Sequence, residues 1–104
     1  MIFDDEAGLR AAYDCNHAHG ESAVQRYGPL IYKLILDSAP NFTKARIYRG
    51  MQSARFKQVS PAVAKSYIGY VIAYINASAL PHKIELQTYR NLGKTKFYWT
   101  ITKL

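Results

Sequence analysis

The chain has 104 residues, 49% of them hydrophobic, with 14 Lys and Arg against 7 Asp and Glu for a formal charge of +7. That length holds one modest domain and excludes a multi-domain reading, while 4 Pro and 6 Gly are too few for a low-complexity or disordered chain. A single cysteine, Cys15, excludes an internal disulfide and points to a reducing compartment.

Phe3 is followed at once by Asp4, Asp5 and Glu6, so the start does not read as a secretory leader. No apolar run approaches the roughly 18 residues of a membrane span, and a cytoplasmic protein without membrane association is expected. The charge is polarised along the chain. Residues 1–37 carry a balance of −3, whereas residues 38–104 carry +10 with Glu85 as their single acid. Such polarity points to an anionic partner, nucleic acid first, with the acidic segment as a partner-binding arm or a mask over the basic surface.

Periodicity divides the chain into four helical stretches and a hairpin. An acidic first helix or arm is expected within residues 1–20, from about Asp4 to His17, with Leu9, Ala12 and Tyr13 as a thin apolar stripe and Gly20 as its stop. A second helix over Glu21–Ser38 carries Val24, Tyr27, Ile31, Leu34 and Ile35 at spacings of three and four, and Gly28-Pro29 is expected to interrupt it or to mark its true start. Ser38-Ala39-Pro40-Asn41 reads as a turn, with Asn41 or Thr43 capping a third helix over Lys44–Lys57. Ile47, Tyr48, Met51 and Phe56 face inward in that helix, Gly50 weakens it, and Arg46, Arg49, Ser53 and Lys57 form a basic stripe.

Ser60-Pro61 is a serine cap followed by proline at the first helical position, so a fourth helix starts there and runs to Ala77. Its apolar stripe is Val63, Tyr67, Tyr70, Val71 and Tyr74, with Ile68, Ile72 and Ile75 beside it. Ala62, Lys65, Ser66, Gly69 and Ala73 are left facing outward. After Pro81 the period changes to two. Ile84, Leu86 and Thr88 in one strand and Phe97, Trp99 and Ile101 in the next are joined through Asn91-Leu92-Gly93-Lys94. Ile84, Leu86, Phe97, Trp99 and Ile101 are expected to pack on the helices, and the tip displays Arg90, Lys94 and Lys96 with Tyr89 and Tyr98 nearby.

The segments KQVSPAVAKSYIGYVIAYINA and KIELQTYRNLGKTKFYWTITKL, in the order helix, helix, Ser-Pro-capped helix and basic-tipped hairpin, resemble a winged helix-turn-helix DNA-binding domain over residues 29–104. The resemblance implies an α+β fold, a small helical bundle with a C-terminal β-hairpin wing, as the domain over residues 21–104. It also implies a third helix in the major groove, with Ser60, Ala62, Lys65, Ser66 and Tyr67 facing DNA and Arg90, Lys94 and Lys96 on the wing. Lys44, Arg46, Arg49, Arg55 and Lys57 supply further phosphate contacts. No Arg, Asn or Gln stands on the first two exposed turns of that helix, so phosphate positioning is expected to outweigh base readout.

The leading expectation is therefore a small DNA-binding protein, a transcriptional regulator or accessory factor, dimeric where it reads paired half-sites. The alternative is a protein-interaction module or inhibitor that applies the same basic face to an acidic, nucleic-acid-handling protein. Most of the nine tyrosines read as core, leaving Tyr89 and Tyr98 to stack on single-stranded nucleic acid. Cys15, His17 and His19 stand two apart and diverge on a helix, so no metal site is expected. The stretch ARIYRGM is similar to the Arg-Gly element of some ADP-ribosyltransferases, but the Glu-x-Glu pair that this activity needs does not follow. No phosphate loop or nucleophile elbow is present, and neither an enzyme nor a cofactor is expected.

Overall fold

The computed structural model describes residues 2–53 and 59–104. They form a mixed α+β fold of three helices and a three-stranded antiparallel sheet: α1 (Glu6–Ser38), β1 (Asn41–Phe42), α2 (Lys44–Ser53), α3 (Pro61–Ala77), β2 (His82–Asn91) and β3 (Lys94–Lys103). The sheet order is β1-β3-β2. No helix among the described residues is long and apolar enough to cross a membrane.

The first two expected helices are both present and are numbered together as α1, and the break between them falls at Asn16 and His17 (φ 43°), where the first was expected to end, three residues before Gly20. Eight residues of unbroken helix would separate Ala12 and Gly20 by about 12 Å. Instead the chain doubles back so tightly that a Cβ on Gly20 would lie 2.0 Å from the Ala12 carbonyl oxygen. Gly20 is therefore the close-contact point of a reversal, not a helix stop. The helix also runs through Gly28-Pro29. A Cβ on Gly28 would meet the Phe3 ring at 2.5 Å, so a side chain is excluded there, and the hydrogen bond missing at Pro29 leaves only the carbonyl of exposed Gln25 without its helical donor.

Of the segment 1–20, expected as a helix or arm, the helix forms, and Phe3, Gly8 and Ala12 are buried with the rest of the core. Phe3 stacks on Tyr74 at 4.6 Å and meets Tyr32 edge-on. Asp5 caps α1 by accepting from Gly8 N–H, and its second carboxylate oxygen accepts from Ala79 N–H beyond the end of α3. The Asp5 N–H in turn donates to the Tyr74 hydroxyl. These bonds tie the start of the chain to α3.

Thr43 is the cap of α2, accepting from Arg46 N–H. The expected turn is present at Ala39 and Pro40, which are joined by a cis bond, and the short strand β1 follows it and pairs Phe42 with Trp99. The helix α2 continues through Gly50 because a Cβ there would press on Leu34 of α1 at 2.8 Å, so the small residue lets the two helices approach. The expected inward position of Phe56 lies outside the described residues.

Ser60 accepts from Val63 N–H and Pro61 opens α3, as the sequence indicates. Ala64, Ile68, Val71, Ile72, Tyr74 and Ile75 form its buried face, whereas Val63, expected inside, is exposed. The Asn76 side chain both donates to the Ile84 carbonyl and accepts from the Ile84 N–H, so it takes the place of a neighbouring strand along the outer edge of β2.

In the hairpin, Asn91 pairs with Lys94 across a two-residue turn, Leu92 (φ 52°) and Gly93 (φ 77°). Ile84 and Ile101 are buried and Trp99 is half buried, but Leu86 and Phe97 are 49% and 59% exposed instead of packing on the helices. The reason is length: ten-residue strands reach about 33 Å, so their outer half overshoots the helical layer.

Candidate nucleic-acid interface

On the outward side of α3, Ala62, Lys65 and Ser66 are exposed beside Val63, and Gly69 and Ala73 follow half exposed further along the helix. Ser66 Oγ donates to the Ala62 carbonyl and Ser60 Oγ caps the helix, so both hydroxyls are already engaged with local backbone. Tyr67, expected to face DNA, turns the other way. It stacks on Tyr27 at 5.1 Å, and the next turn places Tyr70 beside it, where its hydroxyl accepts from Asn16.

The expected basic residues divide into three groups. Lys44 points inward. Its Nζ lies 5.6 Å from the centre of the Trp99 ring and against the backbone of Gly69 on α3, where it adjoins Lys65. Arg46 and Arg49 lie about 200° and 140° around α2 from Lys44 and are exposed with Ser53, whose hydroxyl donates to the Arg49 carbonyl. The stripe on α2 thus faces away from α3, and Lys44 does not belong to it. Arg55 and Lys57 lie outside the described residues.

The third group is on the hairpin, where alternation decides direction. Arg90 shares a face with Leu86, Phe97 and Trp99, and its guanidinium donates to the Gly93 carbonyl at 3.5 Å. Lys94 and Lys96 share the opposite face with Tyr89 and Tyr98, whose rings stand 5.8 Å apart. Arg90 therefore displays its charge on the other side of the tip from the two lysines. Glu85, paired with Lys83 at 4.0 Å, sits at the base of the lysine face.

Burial, and after it the charge of Lys65, hold the Lys44 ammonium below the ordinary lysine value of 10.5. This environment depends on Gly69 and Trp99, which are distant in sequence, so helical periodicity gave no sign of it. Burial also pushes the hydroxyls of Tyr32 and Tyr74 up. Tyr32 hydrogen-bonds Nδ1 of His82 at the base of the hairpin, away from its basic tip. Cys15, His17 and His19 are exposed about the break in α1, and no three His, Cys, Asp or Glu side chains among the described residues gather as a metal site.

The arrangement presents one cation, Lys65, among small residues on α3, and further cations on both faces of a projecting hairpin, where a phosphate backbone could be met. Compared with known protein families, curated proteins and solved structures, the chain matches none of them.

Proposed function

We propose that this protein binds duplex DNA as a winged helix-turn-helix domain, with α3 seated in the major groove and the β2–β3 hairpin laid against the neighbouring backbone, as a small transcriptional regulator or accessory factor. The observation that carries the reading is the outward face of α3: its side chains are mostly short, with the single cation Lys65, and beside it a hairpin overshoots the helices with Arg90 on one face and Lys94 and Lys96 on the other. The order of helices, Ser-Pro cap and hairpin supports it as well.

Binding is expected to be driven by phosphate contacts with weak base preference. The one amide on α3, Asn76, is occupied by the backbone of Ile84 and is not offered to a base. Fluorescence anisotropy against random duplex, single-stranded DNA and RNA at a series of salt concentrations tests this. Duplex binding should weaken steeply with salt, and the double change Lys94→Ala and Lys96→Ala should lower affinity on every sequence and reduce the salt slope by about two. Absence of binding to all three nucleic acids rejects the proposal.

A second reading is favoured by one observation, the exposure of Leu86, Phe97 and Leu92 on the same hairpin. In it the hairpin docks on an acidic, nucleic-acid-handling protein, and the chain acts as an interaction module or inhibitor. A Phe97→Ser variant that binds DNA normally but fails to bind such a partner would favour it.

A further inference from the structure

Lys44 is half buried at the start of α2, and its ammonium spans the gap to α3. A Cβ on Gly69 would come within 3.4 Å of Nζ, and Trp99 of β3 lies under it at 5.6 Å. Burying an ammonium is costly unless an anion accompanies it. Among the described residues no carboxylate lies within ion-pair distance of Lys44. The ion pairs there are Arg10 with Asp14 and Lys83 with Glu85. Glu85 is also the only acid after Asp37, and it projects from the face of the hairpin opposite to Trp99. The charge that acts on Lys44 is a second cation, Lys65, one turn before Gly69 on the same side of α3. Two cations, one of them partly withdrawn from water, thus stand beside the same turn of α3, and among the described residues neither is paired with an acid. An anion placed there would offset both the desolvation and the repulsion.

We propose that Lys44 and Lys65 grip a single phosphate group in the notch between α3 and β3, with Gly69 leaving room for its oxygens and Trp99 forming the wall. The proposal deepens the nucleic-acid reading and rests on it for the identity of the ligand, a backbone phosphate of the bound strand. Trp99 is the only tryptophan of the chain, so its emission reports on the notch directly.

The test titrates the full chain and its Lys44→Met, Lys44→Arg, Lys65→Gln and Lys33→Gln variants with duplex DNA across a salt series. Anisotropy and Trp99 emission are followed together, and a parallel titration uses inorganic phosphate. Met keeps the aliphatic packing on Trp99 while removing the charge, so the fold is retained, and Lys33 is an exposed control on α1. Lys44→Met and Lys65→Gln should each lower the salt slope, and by about one when combined, because they share one phosphate; Lys44→Met should abolish the emission change, and Lys44→Arg and Lys33→Gln should preserve the slope. DNA binding with an unaltered slope in both neutral variants overturns the phosphate grip and leaves the DNA reading standing. An emission response to inorganic phosphate that is lost in Lys44→Met, without DNA binding, keeps the grip and rejects the DNA reading. No response to either ligand overturns both.

Discussion

Leu92 occupies the first position of the hairpin turn with φ 52°, followed by Gly93 at φ 77°. Two positive φ values in a two-residue turn suit Asn-Gly, because a leucine Cβ crowds the carbonyl in the left-handed region at a cost of about 1 kcal/mol. The side chain is 95% exposed, so it recovers none of that cost by packing. Leu92→Asn should therefore stabilise the fold by about 1 kcal/mol and raise the thermal midpoint by about 4 °C or more, read by circular dichroism. An unchanged or lower midpoint would mean that the turn is not strained by leucine. If the same variant also weakens binding of a protein partner, Leu92 is held at the tip for contact rather than for the fold. The turn itself was legible from Asn91-Leu92-Gly93-Lys94, but the exposure of Leu86 and Phe97 was not. Alternation assigns side chains to a face of the sheet and is silent on where the helices beneath that face stop.

At the scale of elements, the readable signals were chemical and local. Ser60-Pro61 announces α3 through a hydroxyl cap and a missing N–H, whereas α2 has a hydroxyl cap alone, Thr43, one of the two candidates the sequence offered. The two residues of β1 carry no period, since pairing with β3 alone defines them. Gly20, Gly28 and Gly50 read as interruptions because glycine lowers helix propensity, yet each is the point where a helix meets another part of the fold too closely for a side chain. The distinction can be measured with two alanine substitutions in helices. Gly20→Ala forces a Cβ to within 2.0 Å of the Ala12 carbonyl oxygen, and the reversal in α1 must open to admit it. A loss of about 3 kcal/mol in urea unfolding is expected, at the upper end of overpacking costs. In Gly69→Ala the new methyl meets only the flexible end of Lys44 at 3.4 Å, so helix propensity should win and stability should rise by about 0.5–1 kcal/mol. Equal effects of the two changes would show that propensity, not close approach, governs both sites.

For the molecule as a whole, the polarity of charge is a property of the sequence, and the candidate basic residues all belong to its basic part, residues 38–104. Their grouping is not legible there. Lys44, Arg46 and Arg49 are neighbours in sequence, but the rotation of α2 sends the lysine toward α3 and β3 and the arginines away from both. The acidic start of the chain has a role in the fold that the charge count could not reveal: the Asp5 carboxylate accepts from Gly8 N–H and from Ala79 N–H, and so joins the first turn of α1 to the chain just beyond α3. Those backbone hydrogen bonds, Gly8 first and then Ala79, hold Asp5 below the ordinary value of 3.8. The unfolded chain consequently takes up this proton at a higher pH than the folded one. The stabilisation from Asp5 is complete above about pH 5, begins to fall near the unfolded value, and is lost as the pH falls through the lower, folded value. Acid unfolding should therefore show a component below pH 4 that Asp5→Asn flattens. The amide oxygen of asparagine can still cap Gly8, whereas its NH2 group would face the Ala79 N–H and cannot accept from it. Thermal midpoints of the two proteins measured from pH 2 to pH 7 should converge at the acid end and separate toward neutrality, with the parent chain the more stable. Parallel curves across that range would remove Asp5 as the link between the start of the chain and α3.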